Sequence, residues 1–235
     1  QPIAFGASDP AVLTPVSSLS YQSHNHIHGL GYDNKNNRLF IATHYGLFVW
    51  KEGKLFQLGQ SRDDFMGFSL HPSNPDVIYT SGHPKSGGNM GVMKSEDGGM
   101  TFKRLFRGLS GESVDFHTMI ISPANPSVLY GWFQQKLYRT KDGGKSWQFA
   151  SAGGLPQQGF CWGAPCLSAH GQNEGTLYAG TPSGLLVSDD FGESWKVLNA
   201  QLGAVVGIGS DPSSPKRLFA FSQNFRLASS EDGGK

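Results

Sequence analysis

Residues 95–102 (SEDGGMTF), 140–147 (TKDGGKSW) and 188–195 (SDDFGESW) are three copies of one eight-residue phrase, and residues 230–235 (SEDGGK) begin a fourth. Each runs Ser/Thr-x-Asp-x-Gly-x-Thr/Ser-Trp/Phe as far as it extends, with the Asp residues at 97, 142, 190 and 232. The intervals are 45, 48 and 42 residues. That period is the size of one four-stranded propeller blade, which sets the architecture before other residues are read.

The phrase reads as a tight turn between antiparallel strands. Its leading hydroxyl and its carboxylate accept hydrogen bonds from turn amides that no ladder partner reaches. Gly99, Gly144 and Gly192 supply backbone angles that a side chain would penalise. Phe102, Trp147 and Trp195 then bury a ring between neighbouring sheets, each contributing roughly 1.5–3 kcal/mol.

A second periodic feature counts the blades. Apolar strands carry an aromatic anchor at Phe40, Tyr79, Tyr130, Tyr178 and Phe219. Three anchors follow a P-x-x-P turn (Pro72 and Pro75, Pro123 and Pro126, Pro212 and Pro215) that separates them from an inner strand. A glycine-linked third strand comes next, as at 46–50 and 184–188, and then the phrase and a fourth strand. The expectation is an all-β propeller of four-stranded antiparallel blades over 24–235, in five recognisable units. The first unit has Trp50, Lys51, Glu52 and Gly53 where the phrase should stand, and the fifth is one strand short. Residues 1–23 are an N-terminal segment in which 11–19 offers an outer strand. Either that strand closes a five-bladed ring or a sixth blade follows, since sheet edges need partners.

The repeated phrase resembles the Asp-box (BNR) repeat of sialidases, sortilin-type receptors, xyloglucan-degrading hydrolases and photosystem assembly propellers. In those families the box is structural and lies away from the binding face, so the resemblance implies a propeller without implying catalysis. The strings HIHGL, ATHYGLF, DFMGF, SGHP and DFH cover most of the first three units. They are similar to exported bacterial propellers described as glycosylhydrolase-like or exo-sialidase-like. Six-bladed members of that group favour the sixth-blade ending.

Composition narrows the function classes. The 235 residues hold 32 Gly and 13 Pro and are 16% charged, which suits short strands and many turns. A net charge of +1 gives no broad footprint for nucleic acid or an anionic membrane. The apolar runs are far shorter than a membrane span. Gln1 and the polar stretch after it read as a mature N-terminus, hence a secreted or periplasmic setting. Cys161 and Cys166 stand as C-x4-C. In an exported protein they form a disulfide; two buried thiols are the alternative.

Alignment on the anchors exposes a polar group. Asp64 and Met66 lie fifteen and thirteen residues before Tyr79, and Asp115 and His117 the same distances before Tyr130. His26 and His28 take these places in the first unit, whose turn is one residue shorter; Gly163, Pro165, Ala204 and Val206 take them in the last two. Four residues after the anchors stand His44 and His83. Blade topology sends all these positions to the top face, and His24 extends the run. The group reads as a metal site with candidate ligands His26, His28, His44, Met66, His83 and His117, or else as a hydrogen-bonded polar plug in the channel or a protonic or substrate-binding site. Imidazole and carboxylate suit zinc or copper, and a thioether adds preference for copper(I). His71 and His170 fall at the opposite turn, where no site is expected.

An exported, non-catalytic propeller follows, binding copper or zinc, a protein partner, or both at its top face. Phe65, Phe116 and Trp132 would serve that partner if exposed, but packing between blades is the expectation for them. The alternative is a glycoside hydrolase with Asp64 and Asp115 as paired carboxylates acting on a glycan. With only seven Arg, and four of six Glu in box positions, the arginine triad and Tyr–Glu pair that sialidases need have no evident counterpart.

Overall fold

A computed structural model describes residues 13–16, 26–109, 111–161 and 163–235. All the regular elements among them are β-strands, arranged in five antiparallel sheets. The fold is that of a β-propeller, built blade by blade as the repeats require. The chain divides into two compact units, residues 1–116 and 117–235.

The first unit holds two sheets. One is formed by β2 (Ile27–Asp33), β3 (Arg38–Thr43), β4 (Gly46–Lys51) and β5 (Lys54–Leu58). Its edge is extended by β1 (Leu13–Val16), which pairs antiparallel with β5. The rest of the 1–23 segment lies outside the described residues, as does His24. The second sheet is β6 (Asp64–Leu70), β7 (Ile78–His83), β8 (Val92–Ser95) and β9 (Lys103–Phe106). Phe40, Ala42, Leu47 and Val49 of the first sheet share a core with Phe65, Phe68 and Ile78 of the second. Glycine in β2 sets how closely the sheets approach: a Cβ on Gly29 would lie 2.6 Å from Cβ of Phe68.

Three sheets form the second unit. They are β10 (Thr118–Ile121), β11 (Leu129–Phe133), β12 (Lys136–Thr140) and β13 (Gln148–Phe149); then β14 (Cys166–Ala169), β15 (Leu177–Thr181), β16 (Gly184–Ser188) and β17 (Lys196–Asn199); then β18 (Val205–Ser210), β19 (Leu218–Ser222) and β20 (Arg226–Ser230). Tyr130, Trp132 and Leu137 pack on Leu167, Ala169 and Leu177 of the next sheet. Tyr178, Leu185 and Val187 pack in turn on Val205, Leu218 and Ala220. Tyr130 and Tyr178 are thus each covered by the sheet that follows. The last anchor is not: Phe219 is 38% exposed, where the other four are at most 4%. Phe221 and Leu227, opposite each other across β19 and β20, are 52% and 73% exposed.

All four copies of the phrase form the same hydrogen-bonded turn. The leading hydroxyl (Ser95, Thr140, Ser188, Ser230) donates to the Asp carboxylate at 2.7–2.8 Å and accepts from the Gly amide at 2.7–3.1 Å. In the three full copies the same carboxylate also takes the hydroxyl and amide of Thr101, Ser146 or Ser194. This network holds Asp142 and Asp190 near a pKa of about 2. Burial is the largest single influence on Asp142 and pushes it up, but the Ser146 and Thr140 bonds together outweigh it. For Asp190 the Ser194 hydroxyl is the largest influence. In the first sheet, where the phrase is degenerate, Glu52 (φ 52°) and Gly53 (φ 73°) make a two-residue turn instead.

A further repeat caps the turns that precede the five anchor strands. Asp33, His71, Ser122, His170 and Asp211 stand seven or eight residues before the anchors. Each offers a side-chain acceptor to an amide of the turn that follows, at 2.9–3.4 Å. His71 and His170 are therefore turn caps, as their register implied. Cys161 and Cys166 form a disulfide that closes the loop entering β14.

Candidate functional site

In the first unit the sequence-aligned histidines do meet. His26 precedes β2, His28 lies in it, and His44 occupies the turn leaving β3. One donor nitrogen from each lies within 4.8 Å of the others. The His28 and His44 ring centroids are 4.3 Å apart and edge-on, and those of His26 and His44 are 5.1 Å apart.

A local irregularity aims His28. Pairing between β2 and β3 shifts register between Ile27 and Gly29, so His28 is the extra residue of a bulge. Met66 in β6 and Val206 in β18 occupy the same kind of bulge. Strict alternation, which puts residues two apart on one face, therefore fails at these positions. The His28 side chain is fully buried. Met66 is buried too.

Asp64, the first residue of β6, joins two of the rings. His44 Nδ1 donates to its Oδ2 at 2.7 Å. His28 Nδ1 stands 3.7 Å from its Oδ1. That Oδ1 is buried and accepts no hydrogen bond among the described residues. The site thus combines three imidazoles with one carboxylate that is partly shielded from water.

Asp64 also faces His83 across the β6–β7 ladder. His83 turns elsewhere: its Nδ1 donates to Gly88 O at 3.0 Å, and its Nε2 lies 3.1 Å from Oδ2 of the buried Asp115. The Phe116 amide donates to Ser81 Oγ at 2.9 Å, which pins this segment beside β7. His117 opens the second unit just ahead of β10 and is partly buried. The two carboxylates considered as a hydrolytic pair are thus each engaged by an imidazole. Glu174, another loop carboxylate, is a structural link that accepts from Asn125 Nδ2.

Phe65, Phe116 and Trp132 are buried, at 2%, 0% and 5% exposure. They pack as core residues and offer nothing to a partner. Tyr45, 43% exposed beside His44, is the aromatic that borders the site. Sequence reasoning did not single it out, although it directly follows a candidate ligand.

No family model matches the chain, and no curated protein matches it. Solved structures do. A GH74 xyloglucanase from Xanthomonas campestris aligns with a TM-score of 0.56 at 16% identity, over 93% of this chain and 45% of that one. A gluconolactonase from the same organism gives 0.64 at 14% identity, over 89% and 74%. YCF48 bound to a D1 peptide gives 0.57 at 14% identity, over 95% and 68%. At these identities the likeness is one of fold. The chain spans less than half the length of the xyloglucanase.

Proposed function

We propose that this is an exported Asp-box propeller that binds a transition metal, zinc or copper, through His26, His28 and His44. The observation that carries this reading is the convergence of three imidazoles from separate segments within 4.8 Å. Neutral imidazole is the commonest ligand for such ions. Tetrahedral zinc sets its ligands ~3.4 Å apart, so binding draws the group inward. The Cys161–Cys166 disulfide supports an oxidising, extracytoplasmic setting.

Tag-free protein equilibrated with zinc(II) or copper(II) and desalted is expected to retain about one equivalent of metal by elemental analysis. His28→Ala and His44→Ala are expected to lose it. Metal-free wild-type protein after the same treatment would refute the reading.

Two further readings attach to the same face. A protein or peptide partner is supported by the exposed Tyr45 beside the site. Glycoside hydrolysis is supported by the likeness of fold to the xyloglucanase. Turnover of a fluorogenic sialoside or a xyloglucan oligosaccharide, lost in Asp64→Asn or Asp115→Asn, would establish the hydrolase.

A further inference from the structure

We infer that Asp64 selects the charge of the ion, making this a site for divalent cations, with the carboxylate as the positioning and charge-balancing group. This rests on the metal reading above and gives Asp64 a role different from that of a catalytic acid or base.

Three observations carry it. First, the 2.7 Å contact commits the His44 Nδ1 proton to Asp64 Oδ2. In the neutral ring the lone pair then sits on Nε2, the nitrogen left to bind metal. A carboxylate behind a ligating imidazole fixes the tautomer and raises the basicity of the ring. Second, Oδ1 is buried, accepts no hydrogen bond among the described residues, and points toward His28 Nδ1 at 3.7 Å. A buried carboxylate oxygen without a donor is costly unless positive charge faces it. Third, the three imidazoles add no charge, so the carboxylate supplies the local anion. Its attraction for a dipositive ion is twice that for a monopositive ion at the same distance.

The donor set agrees with that charge. Imidazole with carboxylate behind it suits zinc(II) and copper(II), whereas copper(I) favours thiolate or thioether. The nearest thioether in sequence, Met66, is buried in the β6 bulge.

Chelator competition would measure the affinities of wild type, Asp64→Asn and His28→Ala for zinc(II), copper(II) and copper(I). Asn keeps an acceptor for His44 and removes the charge. Asp64→Asn is expected to weaken the divalent ions about 10–100-fold, the usual effect of losing such a partner. Copper(I) affinity should fall only about 3–10-fold, because the charge term it loses is half as large and the fold-change is therefore the square root. Equal losses for both charges, or no loss for either, would overturn the inference. The parent reading fails differently, by wild-type protein binding no metal or by His28→Ala leaving every affinity unchanged. Should Asp64→Asn not fold, nitrogen-15 histidine spectra of zinc-loaded wild type decide the matter. Zinc on His44 Nε2 with the proton retained on Nδ1 is expected; zinc on Nδ1 overturns the inference.

Discussion

Gly192→Ala should be among the most damaging single-methyl additions in the second unit. Gly192 holds φ +85°, and a Cβ there would stand 2.5 Å from Leu137 Cδ2. Carbon atoms in good contact sit about 3.5–4.0 Å apart, so the fully buried Leu137 must move by more than 1 Å or distort. Overpacking of this kind costs about 1–3 kcal/mol. The left-handed backbone adds roughly 1–2 kcal/mol for a non-glycine residue. The total, about 2–5 kcal/mol, corresponds to a fall in Tm of roughly 5–15 °C for a chain of this length. Gly53→Ala separates the two contributions, because Gly53 has φ +73° but nothing within 4 Å of its Cβ position. It should show the backbone cost alone. Denaturant unfolding of Gly192→Ala, Leu137→Ala and the double variant then closes a cycle. In the double variant the new methyl enters the space Leu137 vacates, so the costs should fall short of additivity by about 1–3 kcal/mol. Additivity within about 0.5 kcal/mol, or a Gly53→Ala cost equal to that of Gly192→Ala, would refute the proposed seating of the box glycine on the neighbouring sheet.

Acid sensitivity should trace to the turn carboxylates. The folded pKa values of Asp142 and Asp190, about 2, lie below the ordinary 3.8, so their contribution is present above pH ~4 and is lost as pH falls toward 2. Both groups are solvent-exposed, so about 1 kcal/mol each is expected after screening. Asp190→Asn should flatten the change in Tm between pH 4 and 2, and a wild-type Tm that is already flat there contradicts the assignment. Reduction of Cys161–Cys166, whose sequence separation is 5, should cost about 2 kcal/mol from loop closure, measured as a shift in denaturation midpoint with and without phosphine. Phe221→Ser should change stability by less than about 0.5 kcal/mol, whereas Tyr178→Ser should cost about 3 kcal/mol or more, by the same denaturant assay.

The repeat was legible because turn chemistry is local. Ser95, Asp97, Gly99 and Thr101 sit within seven residues and make their bonds almost entirely to one another. The anchors were legible because an aromatic in an apolar strand has one place to go. Equal offsets from the anchors put residues at equivalent ends of the sheets, and His26, His28, His44 and Asp64 lie together in the first unit. What it missed depends on ladder details. The bulges at His28 and Met66 follow from pairing across strands, which leaves no residue signature in either strand. Phe65, Phe116 and Trp132, by contrast, pack inside as the favoured sequence reading has it. The His83–Asp115 contact also repeats the His44–Asp64 contact one unit on, since each joins the residue four after an anchor to the one fifteen before the next.

The aromatic row on β19 has a practical consequence. Environment-sensitive dyes such as ANS report solvent-facing apolar surface regardless of whether the polypeptide is folded. The folded 235-residue chain, with Phe219, Phe221 and Leu227 facing water, is therefore expected to light up such dyes at room temperature. A melting scan read by dye fluorescence would start from a high baseline and could be mistaken for partial denaturation. Calorimetry or intrinsic tryptophan emission, to which the buried Trp132, Trp147 and Trp195 contribute, is the sounder gauge of integrity.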